Sequence, residues 1–183
     1  MWVNAERSGA IRQAIAACQQ PSARALAGLP QQGNLTTMKE ALVTVFGGGG
    51  FVGRYVVEAL LRAGARVRVA ERSPKSSWYL KAQANLGQIT FVAADVTRPE
   101  TLGLAVAGAD AVINLVGSFS DMQRIHVDGA RNVAEAAASA GVASFVQMSA
   151  IGADPESKSA YGRTKGEGEA AVRKAFTRAP ILR

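Results

Sequence analysis

The chain has one cysteine, Cys18, among its 183 residues, one histidine, and aromatic residues at only 6%. A single thiol excludes an intrachain disulfide and a cysteine-based metal site, and it points to a reducing compartment. No metal site is expected. Long apolar runs are also missing. The longest weakly charged stretch, Leu102 to Gly117, is interrupted by Asp110 and falls short of the roughly 20 apolar residues a bilayer demands. Blocks of like charge are absent too: 21 Lys and Arg stand singly against 14 Asp and Glu, for a net charge of +7. Scattered cations without interleaved aromatics describe a solvated basic surface and not a nucleic-acid face.

What is present is an ordinary globular composition, 48% hydrophobic with 19 glycines, at a length that builds one core. Residues 1–37 stand apart, with Arg7, Arg12 and Arg24 against Glu6 and a polar drift toward Thr37. Three explanations remain open: a disordered extension, an Arg- and Ser-containing targeting presequence, or upstream sequence read as coding, with Met38 the true start. The last is favoured, which makes 38–183 the folded domain.

Within it the hydrophobic period alternates. Apolar runs at Leu42–Phe46, Arg66–Ala70, Ile89–Ala94, Ala111–Val116 and Ser144–Met148 predict five strands, and Pro180-Ile-Leu-Arg183 opens a sixth. Helical spacing of Val52, Val56, Leu60 and Leu61 up to Gly64, then 99–107, 125–140 and 160–176, predicts the helices; Trp78 and Tyr79 fall in a wet loop. Strands alternating with helices imply an α/β fold, a doubly wound parallel sheet of five strands plus the start of a sixth.

Gly47, Gly50 and Gly53 follow the first strand and open a helix, and Gly48, Gly50 and Gly53 fit the spacing G-x-G-x-x-G. In a strand–helix–strand unit of about thirty residues this pattern is a dinucleotide turn. One glycine makes the bend, one lets main chain approach a diphosphate, and one lets helix and strand pack; the helix N-terminus supplies unpaired N–H groups. The candidate cofactor-binding set is Gly47, Gly49, Gly50, Phe51, Val52, Gly53 and Arg54 at this turn. Glu71 and Arg72 end the second strand, Asp95 and Val96 follow the third, and Asn114, Val116 and Gly117 end the fourth. An acid at the end of the second strand holds a ribose diol, as in NAD, whereas arginine accommodates a 2′-phosphate, as in NADP. Glu71 stands beside Arg72, with Arg54 a second guanidinium, so the choice stays open with a lean toward NADP(H) over NAD(H). Tyr161 and Lys165, at i and i+4, share a helix face, where an ammonium favours phenolate. Ser149 ends the fifth strand upstream, and the three form a candidate set for acid–base work at a carbonyl oxygen.

Gly47-Gly-Gly-Gly-Phe-Val-Gly53, Asp95-Val96, Asn114-Leu-Val-Gly117, His126-Val-Asp-Gly-Ala-Arg-Asn132, Ser149-Ala-Ile-Gly-Ala-Asp154 and Tyr161-Gly-Arg-Thr-Lys165 together resemble the short-chain dehydrogenase/reductase superfamily, its extended or atypical branch. Val112-Ile-Asn-Leu-Val-Gly117 and Met148-Ser-Ala-Ile-Gly-Ala-Asp154 are similar to the bacterial relatives of the nucleotide-binding accessory subunit of respiratory complex I, alpha subcomplex subunit nine. The resemblance covers about Ala41 to the C-terminus. It implies NADPH held in a Rossmann domain for assembly or structure, with respiratory-complex subunits as partners at the membrane periphery. The implied place is the cytoplasm, peripheral on the inner membrane, or the matrix side of a mitochondrion. In active relatives serine, tyrosine and lysine cooperate in hydride transfer, which maps onto Ser149, Tyr161 and Lys165. Such activity would make the chain an NAD(P)-dependent reductase, epimerase or dehydratase; a non-catalytic NAD(P) sensor is a third possibility. His126 stands where many members have asparagine and is expected to be a helix-packing or surface residue and not an acid. Family members continue into a small substrate domain after the sixth strand, so the chain is expected to be truncated, with that domain absent.

Overall fold

The computed structural model describes residues 40–183; Cys18, Met38 and the expectations for residues 1–37 lie outside the described residues. Six parallel strands form one sheet in the order β3-β2-β1-β4-β5-β6. They are β1 Leu42–Phe46, β2 Arg66–Glu71, β3 Ile89–Ala93, β4 Ala111–Asn114, β5 Ser144–Met148 and β6 Ile181–Leu182. The order reverses between β1 and β4, leaving a crevice at their carboxyl ends, where open α/β sheets take ligands.

Alternation along the strands decides which face each helix covers. Val43, Val45, Val67 and Val69 pack under α1 (Gly53–Arg62), whose Val56, Val57, Leu60 and Leu61 form its buried stripe. The opposite residues Phe46, Val112 and Phe145 pack under α2 (Leu102–Val106), α3 (Ala130–Ser139) and α4 (Ala160–Ala175). Small residues Ala130, Ala134 and Ala137 let α3 lie close to the sheet. Thr44 is buried on that side and donates its hydroxyl to the Ala105 carbonyl at 2.8 Å. Helix α1 ends at Gly64, whose φ of +87° is cheap for glycine alone.

The element order matches expectation; four stretches differ. Residues around Trp78 and Tyr79 are not a loop: Pro74–Gln83 is a 3₁₀ helix that buries Ser77 and Leu80 and leaves Trp78 half exposed. The helix expected over 125–140 begins as a π segment, Gln123–Gly129, before α3. Residues 99–107 divide into a 3₁₀ turn, Pro99–Thr101, and α2. Strand β4 also stops two residues early. The Asn114 side chain takes the Val116 N–H at 3.2 Å and donates to Gln147 Oε1 at 3.0 Å, turning the backbone out of the ladder.

Candidate functional site

The carboxyl ends of β1 to β4 open into a groove of about 470 Å³, within the size range of small-molecule sites. Gly47 turns the chain out of β1 with φ +76°, and its N–H donates to the Ala70 carbonyl at 3.2 Å. A Cβ on Gly53 would lie 2.2 Å from the Gly47 carbonyl oxygen and 2.6 Å from that of Gly48, so only glycine lets α1 start this close to β1. At Gly50 a Cβ would meet only the Gly47 carbonyl oxygen, at 3.2 Å, with open space beyond. One glycine therefore serves packing and another keeps the floor of the groove bare.

Gly49 has a different job from the one expected of it. Its N–H donates to Glu71 Oε1 at 2.6 Å, and a Cβ there would overlap the buried Ser77 hydroxyl. It seats the 3₁₀ helix and is not part of the groove wall. Phe51, Val52, Gly53 and Arg54 also lie off the wall. Phe51 is exposed, and Arg54 lies over its ring at 5.2 Å and over Tyr55 at 5.3 Å. Asn114 is buried against Gln147, so its contribution is to the bend that exposes Val116 and Gly117.

Glu71, Arg72, Asp95, Val96, Val116 and Gly117 do line the groove. Asp95 is fixed by the Thr97 N–H at 2.9 Å and the Thr97 hydroxyl at 2.8 Å. Burial pushes its pKa up, but these hydrogen bonds and the nearby charges of Arg72 and Arg124 outweigh that and hold it below the ordinary carboxylate value. Val96 packs on Gly129, and its carbonyl accepts from Asn132 at 3.0 Å.

None of the serine, tyrosine and lysine lines the groove itself, and the three stand in unequal states. Lys165 is 5% exposed. Among the described residues its ammonium makes no hydrogen bond or ion pair; it lies 5.9 Å from the Tyr161 ring centroid and beside bare Gly117. Burial, partly offset by the Glu169 charge, lowers its pKa. Tyr161 is stacked on Phe119 at 5.0 Å and meets the edge of His126 at 5.4 Å. Its hydroxyl has no hydrogen bond among the described residues. Ser149, by contrast, donates its hydroxyl to Glu169 Oε1 at 2.5 Å.

His126, already singled out in the sequence, and several residues that sequence reasoning passed over complete the site. His126 is 3% exposed. Its Nε2 accepts the Ser118 N–H at 3.1 Å, which leaves Nδ1 to carry the proton toward Thr164 Oγ1 at 3.0 Å; Thr164 in turn donates to the Ala160 carbonyl. Burial first, and the Lys165 charge second, push the His126 pKa down to about 4. The imidazole is neutral at pH 7 and ties the loop after β4 to α4. Asp121 and Arg124 reach the groove from before and within the π segment. Glu169 could have been flagged, because Tyr161, Lys165 and Glu169 repeat at i, i+4 and i+8. Nothing local in the sequence marks Thr97 or Ser118.

The residues fit a dinucleotide. Bare main chain at Gly50 and Gly117 leaves room that a Cβ would fill, and the buried Lys165 ammonium has no acceptor among the described residues, which ribose hydroxyls would supply.

The model of a family described as NAD(P)H-binding matches residues 47–179. The chain is 33% identical over 160 residues to the mitochondrial NADH-ubiquinone oxidoreductase 40 kDa subunit of Neurospora crassa, covering 83% of this chain and 42% of that one. Mouse NADH dehydrogenase [ubiquinone] 1 alpha subcomplex subunit 9 is 35% identical over 159 residues, with the same 83% and 42% coverage. The ceramide reductase of Caulobacter vibrioides is 34% identical over 155 residues, covering 81% of this chain and 47% of that one. The chain thus spans less than half the length of these curated relatives. Among solved structures, Pen from Bacillus thuringiensis superposes with a TM-score of 0.69 at 22% identity, over 77% of this chain and 47% of that one, a likeness of fold.

Proposed function

Because the chain belongs to the NAD(P)H-binding family, of the extended short-chain dehydrogenase/reductase type, we propose that it holds its nicotinamide dinucleotide structurally, as an accessory or assembly subunit of a respiratory NADH:ubiquinone oxidoreductase. The observation that carries the binding site is the buried Lys165 ammonium, without a hydrogen bond or ion pair among the described residues, beside bare Gly117, which lines the same groove as Gly50. The subunit role is supported by the names of the mitochondrial relatives. No helix among the described residues is long and apolar enough to cross a membrane. The proposed partners, on the names of those relatives, are other subunits at the periphery of the membrane, in the cytoplasm or on the matrix side.

In this scheme main chain at Gly47 and Gly50 faces the diphosphate, Asp95 and Val96 take the adenine end, and Val116, Gly117 and Lys165 take the nicotinamide ribose. When bound, the nicotinamide gives or accepts a hydride. NADP(H) is the proposed cofactor: one Glu71 oxygen is drawn into the Gly49 N–H, while Arg72 lines the groove with no ion pair among the described residues. Replacing Arg72 by serine should weaken NADPH binding at least about tenfold, ~1.4 kcal/mol, and leave NADH unchanged. Equal loss for both cofactors would refute that role.

Active reduction is the second proposal. It is supported by Tyr161, whose hydroxyl has no hydrogen bond among the described residues and whose ring centroid lies 5.9 Å from the Lys165 ammonium, and by the ceramide reductase relative. Affinity purification of the tagged chain from its own host separates the two: respiratory NADH dehydrogenase subunits in the eluate support the first. NADPH-dependent turnover of a carbonyl panel, without those subunits, supports the second.

A further inference from the structure

Glu169 is 7% exposed, and the proposed cofactor site does not use it. Its carboxylate gathers three donors from two elements. The Ser149 hydroxyl at the end of β5 donates to Oε1 at 2.5 Å, Arg183 Nε to Oε1 at 2.9 Å, and Arg183 Nη2 to Oε2 at 2.7 Å. Burial works against its charge, but the Arg183 and Ser149 hydrogen bonds, with Arg183 and Arg173 nearby, hold its pKa below the ordinary glutamate value. An ionised carboxylate accepts and cannot donate, so the direction of the Ser149 bond is settled: the proton lies toward Glu169. Lys165 sits one turn earlier on the same face of α4 and feels the same charge.

We infer that Glu169 is a positioning residue that holds the Ser149 proton, leaving Ser149 only an acceptor toward a substrate group, matched to a hydroxyl donor and mismatched to a carbonyl oxygen. A carbonyl accepting hydride develops negative charge on oxygen and needs donors. With Ser149 turned, Tyr161 and Lys165 remain to supply them. The inference rests on the proposed cofactor site and deepens it, since a serine held this way suits keeping a dinucleotide over turning it over.

Glu169→Met removes the acceptor while keeping an unbranched apolar chain of similar length. The Arg183 side chain is half exposed and can turn to water. NADPH binding, followed by its fluorescence, and NADPH oxidation by 9,10-phenanthrenequinone are measured on wild type, Glu169→Met, and the double variant with Ser149→Ala. Expected are NADPH affinity within about threefold of wild type, oxidation at least about tenfold faster in Glu169→Met, a modest share of the 10²–10³ one oxyanion donor provides, and loss of that gain in the double variant. A carboxylate that served stability alone would give no gain. Equal or slower oxidation in Glu169→Met, undetectable oxidation in both proteins included, overturns the inference; absence of NADPH binding to wild type overturns the proposed cofactor site instead. If Glu169→Met does not fold, Ser149→Ala decides. Removing a donor from Glu169 should raise the acid midpoint of thermal stability by up to about one pH unit, and an unmoved midpoint overturns the inference.

Discussion

Replacing Gly53 by alanine and, separately, Gly50 by valine divides the two jobs performed at one strand-to-helix bend. At Gly53 the new Cβ would stand 2.2 Å from the Gly47 carbonyl oxygen, 2.6 Å from the Gly48 carbonyl oxygen and 2.7 Å from the Gly48 carbonyl carbon. All three are backbone atoms and cannot step aside as a side chain would. Helix α1 must lift off β1, loosening Val56, Val57 and Leu60 from the sheet. Overpacking of this kind costs typically 1–3 kcal/mol, and with no flexible neighbour the upper end applies. At roughly 2–4 °C per kcal/mol for a domain of this size, the ligand-free melting temperature should fall by about 6–12 °C. At Gly50 the single close atom is 3.2 Å away and the rest is open, so valine should leave the ligand-free melting temperature within about 2 °C. Its branched side chain would project where a diphosphate must approach. NADPH at 100 times its dissociation constant stabilises a binding-competent protein by ~2.7 kcal/mol, or roughly 5–11 °C. That shift should survive in the folded fraction of Gly53→Ala and vanish in Gly50→Val. Thermal unfolding by circular dichroism, with and without NADPH, measures all four values. A Gly50→Val protein that still shifts with NADPH, or a Gly53→Ala protein as stable as wild type, would refute the division.

Two further outcomes concern buried titratable groups. The folded pKa of His126, about 4, lies below its ordinary 6.5, so the unfolded chain takes up a proton first and stability falls as pH drops from 6.5 toward 4. The loss is up to about 3 kcal/mol; His126→Asn should flatten that window in urea titrations across pH, and an unchanged slope would show the ring is not buried neutral. The Lys165 pKa is also lowered, so the unfolded chain again binds more protons, and stability should rise with pH up to the ordinary lysine value of 10.5. Lys165→Met should remove this rise, stabilise the ligand-free protein, and weaken NADPH at least about tenfold, ~1.4 kcal/mol; unchanged affinity would mean the ammonium faces no ribose.

The order of strands and helices was legible because the elements carry their own periods: short runs of β-branched and apolar residues for the strands, fully buried in β4 and alternating in β2, and i, i+3, i+4 spacing for α1. The π segment left no such trace, since its wider turn rotates the Gln123–Gly129 face without changing residue types. The 3₁₀ helix at Pro74–Gln83 has no apolar stripe; its burial depends on Ser77 meeting Gly49, a contact between separate stretches of chain. At the candidate site, the places of Gly47, Gly50 and Gly53 on the strand-to-helix bend could be read from spacing because main-chain geometry alone sets them. Ser149 could not. Whether its hydroxyl faces the groove or Glu169 is set by how α4 is rotated over β5 and where Arg183 arrives, which no local pattern encodes. Gly49 and Asn114 illustrate the same limit, since both act through partners, Ser77 and Gln147, distant in sequence.

Titration of the purified chain with NADPH, followed by calorimetry and repeated on Gly50→Val, bears most directly on the bare floor of the groove. Saturable binding of one dinucleotide per chain, lost in the variant, is the predicted result. Heat that never saturates, or equal binding by both proteins, would place the dinucleotide elsewhere.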